Sequence, residues 1–399
     1  TFEIEWISQA SASQRAGRAG RTCEGYCYRL YSNGLYVKME KFNSPQISEC
    51  PLSQVVLTMK AMKVKNIHSF PFLTKPNSFF LEKAIEHLNV IGALESNDDE
   101  NSQRMKRIYR MLISDNEEEI EDNFDSSNIS DIGKLMAKFP IEPKLSKMLI
   151  MANGFHMIEY AIIIVAFMSV ENPFDFNSIS YKDKVNAFKW LHIYNPPSAG
   201  IAYLNLMILT LKNKQNTLKL NQRKLDEIQN LINQLYGLCA KIFKTKLTEV
   251  NQLCLSTNQQ NGILMQILLC SFIDNIARKK ILYDEVGNEV IEKNETVLKK
   301  KTIYECNENN IECKLHYLSL VNDTLPDYVI YKEIIKEQKS FLQCVSAISP
   351  DWLYNIGGPL VKDTLSVSFK EPYYNKKTDS IFCFVNIVYG YKQWDIPNV

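Results

Sequence analysis

No run in this chain is apolar over the ~20 positions that a membrane-crossing helix needs. The most apolar stretch, Tyr160 to Val170, lies between Gly154 and Pro173 and reads as a buried helix. Charge of one sign is also missing. Against 46 Lys and Arg stand 45 Asp and Glu, a net charge of +1. That balance exerts no global pull toward nucleic acid, so any contact with a polyanion must rest on local patches. Ten cysteines run from Cys23 to Cys383 without the paired spacing of a zinc site, and no metal ligands are expected. Cys23 and Cys27 make at most half of one, with no second pair at usable distance. Reduced thiols in a nuclear or cytosolic compartment are expected rather than disulfides. The phosphate cradle Gly-x-x-x-x-Gly-Lys-Ser/Thr occurs nowhere, and neither does Asp-Glu-Ala-His.

What is present begins with length. At 399 residues and 45% hydrophobic content, the chain is too long for one ordinary core and predicts about three compact globular domains. Its most informative stretch is Gln14-Arg15-Ala16-Gly17-Arg18-Ala19-Gly20-Arg21. Three guanidiniums are always charged and present rigid forks of donors to phosphate oxygens, while interleaved glycines allow a sharp turn and close backbone approach. The plainer reading is an Arg/Gly surface loop that touches any polyanion.

The flanks bear on that choice. Trp6-Ile7-Ser8-Gln9-Ala10-Ser11-Ala12-Ser13 precedes the loop, and Thr22, Gly25 and Tyr26-Cys27-Tyr28-Arg29-Leu30-Tyr31 follow it. Together they closely resemble motif VI of the DEAH-box RNA helicases. In that family the Gln and the second and third Arg reach the γ-phosphate of ATP across a cleft between two RecA-like domains. The resemblance therefore implies phosphate-contacting roles for Gln14, Gly17, Arg18 and Arg21, with Arg18 and Arg21 catalytic and Arg15 structural. An arginine finger is worth about 10³–10⁵ in rate, but only beside a cradle, a metal-holding acid and a base. Thr1 to Ile7 alternates as a strand with Phe2, Ile4 and Trp6 on one face, the returning arm of a hairpin in the family. The chain is thus expected to be the C-terminal part of a longer helicase, with ATP and Mg²⁺ held largely by RecA-like portions outside it.

The remaining text divides in the same order. Leu52, Val55, Val56, Met59 and Met62 mark an amphipathic helix, and a second spans about 78–91 and ends at Gly92. The pair resembles the family's winged helix. Residues 96–128 break the resemblance with dense charge, Asp98 to Glu100, Arg104 to Arg107 and Glu117 to Glu121, and read as an insertion in the wing. From Ile132 to Pro143 the text resembles the start of the helicase-associated ratchet. There Leu225, Ile228, Leu231, Ile232, Leu235, Leu238 and Ile242 form a core stripe on a long helix. Ala199 and Ile232 depart from polar family residues, and Asn172 to Pro197 is too divergent to align. Gln266 to Lys279 closes the helical part. Short strand-like runs follow, Leu315 to Leu320, Tyr328 to Ile335 and Cys344 to Ile348, reading as a small β-barrel similar to the family's OB fold. Tyr317 and Gln343 replace a usual proline and arginine.

The expected fold class is therefore mixed α and β in several domains: a RecA-like remnant (1–42), a winged helix (43–132), a helical ratchet bundle (133–262) and an OB-fold barrel with a C-terminal extension (263–399). The ending around Tyr373, Tyr389 and Trp394 resembles the nucleolar subgroup acting on the small ribosomal subunit precursor. This implies ATP-dependent RNA remodelling in the nucleus and nucleolus, with an activator protein of glycine-patch or processome type. A non-catalytic scaffold that binds RNA or protein is the alternative. Candidate RNA contacts are Arg278, Lys279, Lys280, His316 and Lys332, with Lys299 to Lys301 nearby and Tyr317 and Tyr331 as stacking platforms. A solvated lysine face and packed tyrosines are the bland readings of the same residues.

Overall fold

The computed structural model describes residues 6–64, 66–95, 128–170, 198–213, 221–281, 291–294, 297–300, 302–307, 311–316, 319–322, 324–336, 339–356, 360–367, 373–375, 380–382 and 385–395. Helix α1 spans Gln9–Ala16 and α2 spans Asn33–Lys38. After the short α3 (Gln46–Glu49) come α4 (Ser53–Ala61) and α5 (Ser78–Val90). Asn77 caps α5 by accepting from the Phe79 amide, and the chain leaves α5 through Gly92 at φ +77, a backbone that glycine adopts without strain. Leu57, Ile85 and Leu88 bury between the two helices and form a core that extends to Met136. Strands β1 (Leu94–Glu95) and β2 (Asn128–Ile129) pair antiparallel, Leu94 opposite Ile129. They pair the chain on either side of the charged segment, while 96–127 lies outside the described residues. Gly133 of α6 (Asp131–Met136) sits so close to Ala93 that a Cβ would run into the Ala93 carbonyl.

A larger core follows. Helix α7 (Pro143–Gly154) starts on a proline, whose missing N–H costs nothing in the first turn. Helix α8 (Ile158–Ser169) is apolar all round, as a helix enclosed by others must be, and buries Ala161 to Met168 without interruption. Around it pack α7, α9 (Ala199–Asn213) and α10 (Gln222–Phe243), and α11 (Asn258–Ser271) packs on α7. The predicted stripe lies on α10, with Leu225, Ile228, Ile232 and Leu235 buried and Leu231, Leu238 and Ile242 half-buried. Ile232 is thus a core residue. Helix α11 opens with a capping box between Thr257 and Gln260. None of the described helices is long and apolar enough to cross a membrane.

Past α11 the chain becomes a sheet sooner than the sequence suggests. Ile276–Ile281 is strand β3 rather than the end of the helical part. After β4 (Ile291–Asn294) and β5 (Val297–Lys300) come β6 (Thr302–Cys306) and β7 (Glu312–Leu315). Next are β8 (Tyr328–Ile330), β9 (Glu333–Lys336), β10 (Ser340–Gln343) and β11 (Ser346–Ile348). The seven-stranded sheet has the order β11-β8-β3-β6-β7-β10-β9, with β10 parallel to β7. The expected strand 315–320 is displaced: the strand is 312–315, and Asn322 Nδ2 donates to the His316 carbonyl in the turn beyond it. The expected run 328–335 is split, because the Tyr331 and Lys332 amides donate to Asn275 O and Gln343 O. Helix α12 (Pro350–Ile356) and the sheet β12 (Val361–Val367), β15 (Val385–Tyr389) and β16 (Trp394–Asp395) end the described chain, beside a hairpin of β13 (Tyr373–Asn375) and β14 (Ser380–Phe382). Tyr389 and Trp394 bury in the same core as α8 and α11, so the extension is built into the body.

Candidate functional site

Helix α1 leads into the Arg/Gly loop of residues 14–21. Ser8 caps it by accepting from the Ser11 amide at 3.1 Å. The Gln9 and Ala10 amides donate to Glu40 O (2.8 Å) and Lys41 O (3.0 Å), and Gln9 Nε2 donates to Met39 O at 2.9 Å. Ser13 Oγ lies 3.4 Å from Tyr36 Oη, and the Arg29 guanidinium covers the Tyr36 ring at 4.4 Å. The helix bearing Gln14 is thereby tied along one side to the chain around α2.

The loop itself is presented to solvent. Gln14, Arg15, Gly17, Arg18, Gly20 and Arg21 are all exposed, and among the described residues Arg18 and Arg21 make no ion pair. Gly17 is in right-handed helical conformation, and a Cβ on Gly20 would meet nothing within 4 Å. The Gly17 amide already donates to Ser13 O at 3.0 Å, whereas at Gly20 no neighbour crowds the backbone. The crowded glycine is Gly25, where a Cβ would strike the Ala19 carbonyl. Trp6 and Ile7 are not in a strand, and Trp6 is 71% exposed; residues 1–5 lie outside the described residues. Cys23 and Cys27 are exposed.

The barrel cations are situated differently. On β3, Arg278 lies opposite Glu305 in register and its guanidinium sits 5.4 Å from the Trp394 ring centre. Glu305 is bridged by Lys392 at 2.7 Å. That hydrogen bond first, and the charges of Lys392, Arg278 and Lys280 after it, outweigh burial and hold the Glu305 carboxyl below its ordinary range. Lys280 bridges Glu312 at 2.9 Å. Lys279 donates to Leu325 O at 3.0 Å and lies 3.4 Å from Asp327. Lys332 is 3.3 Å from Glu333. The ring of His316 stands edge-on to Phe341 at 5.9 Å.

The structure therefore sets Arg278 and Lys280 on β3 of the sheet to which β7 and β10 belong, with His316 directly after β7, whereas Lys332 lies between β8 and β9. Tyr331 is 3% exposed and packs inside the barrel, which removes it as a stacking platform. Tyr317 and Lys301 lie outside the described residues, as do the side chains of Lys299 and Lys300. The half-exposed aromatic beside His316 is Phe341, which an alternating pattern could have singled out. The neutralising carboxylates carry no such local signal. Ser198 is buried and bonded to Ser346 Oγ at 2.9 Å, holding the start of α9 against β11.

Two family models match. Residues 142–225 fit a helicase associated domain (HA2), ratchet-like, and residues 264–360 fit an oligonucleotide/oligosaccharide-binding (OB)-fold. The probable ATP-dependent RNA helicase kurz of Drosophila melanogaster is 28% identical across 99% of this chain and 33% of its own length. The human probable ATP-dependent RNA helicase DHX37 is 27% identical across 100% of the chain and 34% of its length. The probable ATP-dependent RNA helicase DHR1 of Saccharomyces cerevisiae is 39% identical across 44% of the chain and 12% of its length. The chain spans about a third of the length of the curated relatives that it matches throughout.

Proposed function

We propose that this chain, which corresponds throughout to the C-terminal part of DEAH-box RNA helicases, is the RNA-holding end of an ATP-driven motor that remodels RNA or ribonucleoprotein. The observation that carries the reading is the pair Arg18 and Arg21. They stand exposed and without an ion pair among the described residues, in the turn that follows a braced helix and beside the uncrowded backbone of Gly20. Guanidiniums so placed suit charge developing on a phosphate, which a structural arginine would not. ATP with Mg²⁺ supplies the transferable phosphoryl group when bound. Gln14, Gly17, Arg18 and Arg21 are the residues here that would reach its phosphates.

The domain reading that accompanies this takes 1–42 as a RecA-like remnant, 43–132 as a winged helix, 133–262 as the ratchet and 263–399 as the barrel with its extension. Single-stranded RNA is the proposed ligand of the barrel, through Arg278, Lys279, Lys280, His316 and Lys332. The finer setting is processing of ribosomal RNA in the nucleolus, on the likeness of the ending to that subgroup. Exposed Met62, Phe70, Leu73, Phe79 and Phe80 offer an activator protein apolar contact next to α4 and α5.

The test lies upstream of Thr1 in the transcript. A phosphate cradle and an Asp-Glu-Ala-His sequence in frame support the motor. Their absence turns the reading into the non-catalytic scaffold. The chain purified as it stands is expected to show no RNA-stimulated ATP hydrolysis, because its arginines have no cradle to act upon. Turnover by it would contradict that division of parts.

A further inference from the structure

A carboxylate with almost no solvent contact lies where three parts of the chain meet. Asp274 follows α11, and its side chain is 4% exposed. One oxygen, Oδ1, is 2.8 Å from Lys144 Nζ of α7. The other, Oδ2, is 3.1 Å from His87 Nε2 of α5. Lys144 also donates to Asn275 Oδ1 at 2.9 Å, and Asn275 Nδ2 donates to Lys332 O at 2.8 Å. Next door, the Tyr389 hydroxyl donates to Ile273 O. The other ring nitrogen, His87 Nδ1, lies 3.2 Å from Ser53 Oγ. A serine, a histidine and an aspartate in line suggest a hydrolytic relay, but Lys144 already neutralises this carboxylate.

The two halves of the junction are unequal. Bundle and barrel share one apolar core, which runs from Phe139 through α8 and α11 to Ile276, Tyr328 and Trp394. The unit from Leu52 to Met136 has a core of its own. Among the described residues, half-buried Val90 and Ile150 lie at their seam, where α4 and α6 meet α7, beside a 3.3 Å bond from Gln54 Nε2 to Phe139 O. The polar contacts differ in the same sense. Lys144 is nearly sealed, whereas the His87 side chain is 20% exposed. Separating Lys144 from Asp274 would strand two buried charges. Separating His87 from Asp274 strands neither: the carboxylate keeps Lys144, and the imidazole keeps Ser53 and gains water.

We propose that the His87–Asp274 contact is a latch, at which the Leu52–Met136 unit undocks from the bundle–barrel body while the Lys144–Asp274 pair stays closed. The inference is independent of the ATPase reading. Hydrogen exchange on the full chain tests it. In the wild type, amides of the last turn of α5 and the first turn of α4 exchange through an opening that leaves α8 and α11 protected. His87→Ala accelerates exchange at those seam amides by roughly 5- to 30-fold, the effect of losing one charge-assisted bond, and leaves α8 and α11 at wild-type rates. His87→Gln, which retains a side-chain N–H donor, restores much of the protection. Unchanged seam exchange in His87→Ala, or equal acceleration across both bodies, overturns the proposal. Uniform protection of seam and core in the wild type overturns it without any variant.

Discussion

Residues 14–21 and residues 278–280 each hold a cluster of cations, and the molecule treats the two clusters in opposite ways. Arg18 and Arg21 stand in solvent without an ion pair among the described residues, in the turn that follows a helix itself well tied down. Arg278, Lys279 and Lys280 face Glu305, Asp327 and Glu312, and Arg278 lies over Trp394 as well. A phosphate arriving at the first cluster meets unspent donors, whereas one arriving at the second must compete with carboxylates already in place. Free cations on a rigid mount are suited to a tight, geometrically defined anion. Paired cations on a sheet give weak, sequence-indifferent attraction to a polyanion. A third cation, Lys144, marks the limit of the series: sealed against Asp274, it serves only the fold.

The sharpest way to break this ranking is to remove the sealed pair. Asp274→Asn leaves the Lys144 charge buried without its counterion, and is expected to lower stability by about 3–5 kcal/mol. Thermal and denaturant unfolding of the chain measure it. A loss under about 1 kcal/mol would put Lys144 among the ordinary surface pairs. Acid should act through the same group. Burial by itself would push the Asp274 carboxyl up, but the Lys144 charge and the His87 hydrogen bond together hold it well below the usual carboxylate range. A carboxyl depressed in the folded state stabilises the fold above its unfolded value of about 4, and that contribution is lost as pH falls below this value. Stability measured from pH 6 downward should therefore fall less steeply in Asp274→Asn than in wild type.

A smaller effect is expected at the barrel. The chain should bind single-stranded RNA weakly, with log affinity falling against log salt at a slope of roughly −2 to −4, at about −0.7 per phosphate contact. Removing Arg278, Lys279 and Lys280 together should flatten that slope, while Arg18→Ala with Arg21→Ala leaves it unchanged. Anisotropy titrations at several salt concentrations decide this. A slope indifferent to the triple substitution would move the RNA site, with Phe341 and His316 the next surface to try.

Much of the fold was legible where periodicity is local. The spacing of Leu52, Val56 and Met59 marks α4, the Leu225-to-Ile242 stripe marks α10, and the apolar run near Tyr160 marks α8, because each helix meets its neighbours through one repeating face or through all of them. Strand limits were less legible. What ends β8 is the Tyr331 amide turning to Asn275, and what bends the chain after β7 is the turn closed by Asn322, neither of which an alternating pattern encodes. The exposed Arg/Gly loop stands out in eight consecutive letters, since the residues that make it distinctive are neighbours in sequence. Pairing of the barrel cations was not legible, and nor was the junction, where Lys144 and Asn275 stand 131 residues apart. Cys239 illustrates the same divide: its place on α10 follows from the stripe, but burial pushing its thiol up to about 12 follows only from the packing around it.

The central claim is that the free guanidiniums serve nucleotide turnover and the paired cations do not. Its most direct test is RNA-stimulated ATP hydrolysis by a protein in which this chain is joined to RecA-like portions that supply a phosphate cradle. Arg18→Ala or Arg21→Ala should depress turnover by at least about 100-fold, with RNA affinity nearly unchanged, since these groups act on charge that develops in the transition state. Lysine should rescue neither position, because one ammonium cannot reproduce the guanidinium fork. Wild-type turnover in the Arg18→Ala protein would contradict the account.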